Sequence, residues 1–588
     1  MRQHTHTPIH RANRNGTSRL PTLLVTLLLT AAPGASRAAP DIRVPDSGTA
    51  MREAQQARPV VPPSRNETGL TPGQAVPTPP PANAGGAVVF VREFQLENAD
   101  YLPEAEIQNV LAPYKGRELT LAQLEEAAAA VTKLYRERGY PAARAFLPRQ
   151  KAEGGSITLR VLVGKYGASG LENKSLVQNW LLDKTINDII EPGQPVRRAD
   201  LERTVLLIGD LPGAALPKLN MGAGQEAGTT DFFVQVPEGK RVGGFLISDN
   251  QGSRYTGRWR LGGGVDVNSP LGVGDKLSLF GLKTEGGGLS NGAINYSFPL
   301  AANGLRLNLG YSHVAYKLGD DYRYLDADGW ADTYEGTFSY PVIRSSAQNL
   351  YASLNLARKK MHDSYGEFRE FEDYGLMRKS STLAKLGLRY ELWNNLAGHP
   401  VFTQINGSFT HGKLSLHAGE QRDHDQAGAE RRGAFSYANL GIQTQIGLAD
   451  KWNLSLGASG QKAFGRNLDG SEQLNIAGAN GVKAYREAVS GSNAWLLNAE
   501  LRYALPAPKD GLKHSVAAFA DHGGWRYAKH SGRFDPKKDT LSDVGLAYYL
   551  NFGGFSAKVQ LTHALGSYPE ELKKEDRTRL LALFVMSF

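Results

Sequence analysis

The side chains of this chain that could do chemistry are few, and they sit in polar connections. The stretch GANGVKAYREAVSGSN, Gly478–Asn493, carries Lys483 and Arg486 around Tyr485 in a glycine-bearing loop. Two cations and a phenol in such a loop either meet water at an outward tip or dock onto a carboxylate elsewhere. A second stretch, EFREFED (Glu367–Asp373), holds four carboxylates and reads as a solvated loop rather than an acid–base pair. His417 and His424 flank acidic and amide residues without the spacing of metal ligands. GAGQEAG (Gly222–Gly228) imitates a phosphate loop. It lacks the closing Lys-Ser/Thr and joins two strand-like runs, so it reads as a hairpin connection. HExxH does not occur, and with no cysteine there is no thiolate site or disulfide framework. The chain is read as a non-enzyme with no cofactor and no metal.

Composition narrows the class. The 588 residues carry a net charge of +9, but without a dense Lys/Arg run, so nucleic acid is not an expected partner. Mean hydropathy is −0.37, and no internal run is long and apolar enough for a spanning helix. Arg11, Arg14 and Arg19 precede LPTLLVTLLLTAA (Leu20–Ala32), with small residues at Ser36 and Ala38. This is the pattern of a secretory leader over 1–38, cleaved after Ala38 or Ala39. The Pro-rich tract that follows reads as an extended linker within 40–87, preceded by a short polar helix over Ser47–Arg58 with Ser47 as its cap.

Two periodicities divide the rest. Residues 88–164 read β-α-α-β-β. VVFVREFQL is a strand, PEAEIQNVLAPY a helix, and TLAQLEEAAAAVTKLYRERGY a second helix with Leu121, Leu124, Ala128 and Val131 on one face. A similar pass over 165–239 places a strand near Tyr166–Leu171, helices at Leu176–Asn187 and Arg198–Gly209, and two further strands. From 240 to 588 the period is two. YTGRWRLGGGVDVN puts Tyr255, Trp259, Leu261, Val265 and Val267 opposite Thr256, Arg258, Arg260, Asp266 and Asn268, and AWLLNAELRY repeats the pattern. Short connections (SPLGVGD, AANG, IRSS, LAD) alternate with long ones. Roughly sixteen such segments predict an antiparallel transmembrane β-barrel rather than a soluble sandwich.

At this level the chain resembles the transporters of two-partner secretion, the TpsB family (ShlB/FhaC/HecB-like) of the barrel-assembly superfamily. LYRERGYPAARAFLPRQ is similar to the first POTRA signature, with Tyr135, Arg138, Gly139, Tyr140, Pro148 and Gln150 as its residues. NQGSRYTGRWRLG with NSPLGVGDKL resembles the first barrel hairpin, and FADHG (Phe519, Asp521, Gly523) the barrel-wall strand motif. The Gly478–Asn493 loop resembles the sixth extracellular loop of the family, tipped by Val482, Lys483, Ala484 and Tyr485.

The resemblance implies a plug helix, two POTRA domains and a sixteen-stranded barrel in the outer membrane of a Gram-negative bacterium, with the POTRA units in the periplasm. It implies that the loop folds into the lumen and that its cation meets Asp521. Lysine and alanine stand where the family has arginine and glycine, and Ser492 where it often has aspartate, so Arg486 remains a second candidate for the cation. The implied function is translocation, without ATP, of an unfolded, large, β-helical exoprotein captured by the POTRA domains. Outer-membrane lipids and the barrel-assembly machinery are further implied partners, with Phe588 as the assembly signal. The alternatives are an insertase of other membrane proteins and a passive porin.

Overall fold

The computed structural model describes residues 44–57, 88–152, 154–366, 376–526, 539–566 and 576–588. The leader, the linker from 58 to 87 and the EFREFED stretch lie outside the described residues. Among the described residues one helix, α1 (Ser47–Gln56), precedes two small α+β units.

The first unit holds β1 (Val89–Val91), β2 (Glu93–Glu97), α2 (Glu104–Leu111), β3 (Arg117–Leu119), α3 (Leu121–Glu137), β4 (Ala143–Phe146) and β5 (Ser156–Val163). VVFVREFQL is therefore two strands rather than one. The amides of Arg92 and Glu93 both donate to Gly155 O, at 2.7 and 3.3 Å, which breaks the ladder and frees β1 to pair with β3. Thr120 caps α3 in a reciprocal pair with Gln123. The buried α3 face of Leu124, Ala127, Ala128, Val131 and Tyr135 packs on Ile157, Leu159 and Val161 of β5.

The second unit holds β6 (Lys165–Asn173), α4 (Asn179–Asn187), α5 (Arg198–Gly209), β7 (Lys218–Ala223) and β8 (Thr229–Val236). Its sheet order, β6-β8-β7, repeats the β2-β5-β4 order of the first, each with one parallel and one antiparallel pair. α4 starts later than the sequence pattern predicts. The amides of Leu176 and Gln178 are already committed to Gly213 O and Gly272 O, at 2.9 and 2.8 Å.

Sixteen antiparallel strands then close a barrel. The first eight are β9 (Val242–Asp249), β10 (Arg260–Asn268), β11 (Lys276–Thr284), β12 (Leu289–Pro299), β13 (Arg306–Lys317), β14 (Ala327–Arg344), β15 (Gln348–Tyr365) and β16 (Leu376–Leu396). After β17 (His399–Leu416), a helix α6 (Gly419–Ala427), β18 (Gly433–Ala449) and β19 (Trp452–Phe464), a long loop carries the two-residue strands β20 (Leu474–Asn475) and β21 (Ser490–Gly491). The wall ends with β22 (Asn493–Ala504), β23 (Leu512–Arg526), β24 (Asp539–Phe552), β25 (Phe555–Leu565) and β26 (Thr578–Ser587). The period-two pattern of YTGRWRLGGG starts only at Arg260. Tyr255 belongs to the preceding connection, where it is buried in a cluster with Ala50 and Ala54 of α1.

The seam is the shortest ladder in the wall. β26 pairs with β9 from Leu583↔Asp249 to Ser587↔Phe245. Beyond Asp249 the side chain of Asn250 takes over, donating to Leu580 O at 2.9 Å and accepting from Ala582 N at 2.8 Å. At the other end Phe588 exchanges two backbone hydrogen bonds with Gly244, at 3.0 and 3.1 Å, and lays its ring over that glycine.

Candidate functional site

The wall facing α1 and the Gly478–Asn493 loop is mixed, with buried Asp363, Lys379, Asp521 and Asp543 beside apolar residues such as Val314, Leu496 and Leu541. α1 lies inside the barrel. Its cap is Asp46 rather than Ser47. Asp46 Oδ1 accepts from Thr49 N and Thr49 Oγ1, both at 2.9 Å, while Ser47 is already helical. Ser47 turns to the wall, its N–H and Oγ donating to Asp363 on β15 at 2.7 and 3.0 Å. Tyr316 Oη donates to the same carboxylate at 2.7 Å.

Lys379 on β16 sits between two acids, 2.5 Å from Asp46 of the helix and 2.8 Å from Asp469 of the long loop. Arg52 reaches Gln473 O at 2.5 Å and Ser490 Oγ at 3.0 Å, and Glu53 accepts from Ser253 N at 3.0 Å. The helix is less uniformly polar than its sequence suggests. Ala50, Met51 and Ala54 are buried, Met51 against Ala331 and Met361, because small residues let the helix approach the wall. A Cβ on Gly48 would stand 2.8 Å from Ser471 N, so helix and loop are in backbone contact.

The loop folds back on itself and into the lumen. Val482 N donates to Ile476 O at 2.7 Å and Gly478 N to Tyr485 O at 2.8 Å. Val482, Ala484 and Tyr485 are buried with Ile476, Leu496 and Leu541. Of the two candidate cations, Lys483 meets Asp521. Its Nζ lies 2.5 Å from Oδ2, with the side chains 12% and 1% exposed. Asn498 Nδ2 donates to the other oxygen at 2.6 Å, and the ammonium sits 4.6 Å from the centroid of Phe519. This is a buried pair, so the small energy of an exposed ion pair does not apply to it.

Ala484 needs no positive φ, so glycine's freedom is not required at the tip. Its N–H donates to Asp543 on β24 at 2.5 Å, and Thr562 Oγ1 donates to the same carboxylate oxygen at 3.0 Å. Asp521 and Asp543 are direct partners across β23 and β24. Sequence reasoning missed Asp543. The signal was there in the alternation of DTLSDVGL, which puts Asp543 on the inward row beside Asp521. Gly523 faces Ile476 closely enough that a Cβ would be 3.3 Å away. Arg486 instead lines a cavity of about 580 Å³ between α1 and the loop, with Arg52, Glu53 and Glu487. Ser492 is fully buried and accepts from Leu468 N at 2.9 Å.

The remaining signature residues hold the two α+β units in place. Tyr135 is buried and donates to Ala99 O at 3.1 Å, and burial pushes its hydroxyl up to about 12. Tyr140 packs between Tyr101 and Tyr135, and Arg138 pairs with Glu106. Gly139 has φ +97°, and its carbonyl accepts from Arg198 N at 2.8 Å, joining the first unit to α5 of the second. Gln150, just after Pro148, acts as a strand in miniature. Its amide exchanges hydrogen bonds of 2.7 and 2.8 Å with the backbone of Thr158 on β5.

The second unit docks on three barrel turns. Gln178 bonds Gly272, Arg203 reaches Asn303 O and Pro341 O at 3.3 and 3.1 Å, and Arg344 grips Asp210 with two bonds of 2.7 Å.

Residues 228–545 match the family model described as haemolysin secretion/activation protein ShlB/FhaC/HecB, and residues 89–164 match the ShlB-type POTRA domain. The chain is 26% identical over 492 residues to the heme/hemopexin transporter protein HuxB of Haemophilus influenzae (strain 86-028NP), covering 83% of this chain and 85% of the relative. It is 26% identical over 480 residues to the outer membrane transporter CdiB of Escherichia coli O6:K15:H31, covering 78% and 76%. The solved structure of CdiB from Escherichia coli superposes with a TM-score of 0.70 at 21% identity, covering 92% of this chain and 98% of that one. That likeness shows the shared fold.

Proposed function

The chain belongs to the haemolysin secretion/activation family ShlB/FhaC/HecB, and from that premise we propose how this outer-membrane translocator moves its partner protein. Its POTRA region lies on the periplasmic side, and it works with a large secreted exoprotein. Residues 88–164 and 165–239 act as two capture units for the unfolded partner. β7 offers an edge that no other described strand pairs, onto which an extended segment can add as a strand. The partner then passes through the lumen as an extended chain and folds outside. The folding, not ATP, gives the movement its direction, and the folded product is β-helical.

The observation that carries this reading is the way the lumen is filled. Among the described residues, α1 and the long loop from Asp469 to Ser492, which includes the Lys483 tip, occupy it. α1 is joined to the wall by small apolar contacts and by polar contacts that water can replace. Deleting α1 is expected to raise single-channel conductance, and deleting the whole protein is expected to empty the medium of one large secreted protein. Unchanged conductance after α1 removal, with a heat-modifiable barrel, would refute plugging by the helix.

The short seam between β26 and β9 favours a second reading, an insertase that opens along this line. Leu246 and Met586 are register partners there. A disulfide formed by Leu246→Cys with Met586→Cys separates the two readings. Secretion that continues with the seam locked supports the lumen route, and secretion that stops supports the seam.

A further inference from the structure

The outer surface of the barrel is asymmetric in charge. On β15 the row facing away from the lumen runs through Leu350, Leu354 and Leu356, then changes to Arg358, Lys360 and His362. Alternation fixes the direction: Ala357, Lys359 and Met361 are buried on the inner side, and Arg358 and Lys360 are exposed on the other. The same change occurs on neighbouring strands. Exposed Leu386 and Leu388 on β16 give way to Arg378, and Phe409 on β17 to Lys413, whereas on β19 the outward Lys462 is followed by exposed Phe464.

Arg358 pairs in register with Thr382, and Thr382 with Lys413, so two cations share one row across three strands. Among the described residues, none of Arg358, Lys360, Arg378, Lys413 and Lys462 makes an ion pair, and Lys360 rests 5.9 Å from the Tyr334 ring centroid. The acids on this face of β13–β19 are Asp328 and Asp332, and Asp332 is held by Tyr311 and His313 at 3.0 and 2.8 Å. On the other nine strands the outward cations of the described residues are Lys283 and Arg526.

Height selects the partner. β14–β17 have 18 to 21 residues, about twice what a tilted strand needs to cross the hydrocarbon. Each outward step spans two residues, about 6.7 Å along the strand and roughly 5 Å of height at a tilt near 40°. Arg358 and Lys360 therefore stand about 5 and 10 Å above Leu356, across a headgroup layer about 5–8 Å thick. They point sideways into that layer, at the end of the barrel opposite the α+β units.

We propose that the outward face of β13–β19 above the apolar belt binds a phosphorylated glycolipid of the outer leaflet through Arg358, Lys360, Arg378 and Lys413. Guanidinium and ammonium groups at this height neutralise phosphate, and the apolar rows below receive the acyl chains. Binding on one wall only leaves the seam side free of the immobilised lipid. The acidic stretch 367–373 lies outside the described residues, and its deletion is one arm of the test.

The test is native mass spectrometry of the full-length detergent-solubilised protein with a bisphosphorylated lipid A, its dephosphorylated form and phosphatidylglycerol. The bisphosphorylated form is expected to bind, with the other two at least tenfold weaker. Arg358→Ser with Lys360→Ser and Lys413→Ser is expected to weaken binding about a hundredfold. Lys283→Ser with Arg526→Ser, on the other wall, is expected to change it less than twofold. Heat-modifiable migration of each variant verifies its fold. Equal binding by the triple variant, equal retention of phosphatidylglycerol, or binding that appears only after deletion of 367–373 would each overturn the proposal.

Discussion

Asp46→Ser isolates the bond that pins the plug. Serine caps a helix about as well as aspartate, so the Thr49 contact survives in kind. Its hydroxyl is too short to reach Lys379, so the 2.5 Å bond to that ammonium is lost. The Lys379 side chain is 5% exposed and that of Asp46 21%, so the bond is only partly screened. A charge-assisted hydrogen bond of this kind contributes about 1.5–3 kcal/mol. In the displaced state the bond does not exist, so the whole amount biases the equilibrium between plug in and plug out. At about 1.4 kcal/mol per tenfold, the displaced population rises roughly 10- to 150-fold. Single-channel recording in planar bilayers reads this directly as the fraction of time in the high-conductance state. Lys379→Met is expected to go further, because it also leaves Asp46 and Asp469 facing each other without the cation. An unchanged open fraction in Asp46→Ser would show that the apolar contacts of Ala50, Met51 and Ala54 hold the helix on their own, and the reasoning from the ion pair would be wrong.

Lys483→Met strands a buried carboxylate on Asp521, with Asn498 as its remaining partner. A cost of about 3–5 kcal/mol to the docked loop is expected, read as protease cleavage within 478–493 while the barrel stays heat-modifiable. Arg486→Ala leaves the Asp521 contact in place and should protect that loop like the wild type. Gly48→Ala places a methyl 2.8 Å from the Ser471 backbone and should raise conductance much as Asp46→Ser does. Arg344→Met removes both bonds to Asp210, which is 37% exposed, so global stability should fall by only about 1 kcal/mol. The spin-label distance between α5 and the turn at 345–347 should nevertheless broaden, and an unchanged distribution would show that Arg203 suffices for docking.

The barrel was legible because its period-two alternation is carried by many strands, each able to absorb a local exception. The choice between Lys483 and Arg486 was not. They lie three residues apart in a loop with no periodicity, and only the fold-back at Val482 turns one inward and the other toward the cavity. Asp363 and Lys379 were hidden for a different reason. Each looks like an ordinary polar residue of an alternating strand, and its meaning depends on a helix more than 300 positions earlier in the chain. Likewise Gln150 could be noted as part of a motif, but its part as a surrogate strand beside Thr158 appears only with the sheet. The cap at Asp46 rather than Ser47 followed from a one-residue competition, in which Ser47 had a wall partner and Asp46 had the helix.

The wall groups that hold α1 do not depend on it alone. When the helix leaves, Lys379 still faces Asp469 and Asp363 still receives the Tyr316 hydroxyl. The helix, for its part, carries Asp46, Ser47, Arg52 and Glu53 into water that can solvate them. The polar groups of both surfaces stay satisfied, and the cost of release is the apolar contact of Ala50, Met51 and Ala54 with the wall. The catch therefore has no spent state. If α1 leaves the lumen as proposed, it can be released and re-engaged once per passenger without rebuilding the channel around it, and such a transporter counts its cycles in clients rather than in copies of itself.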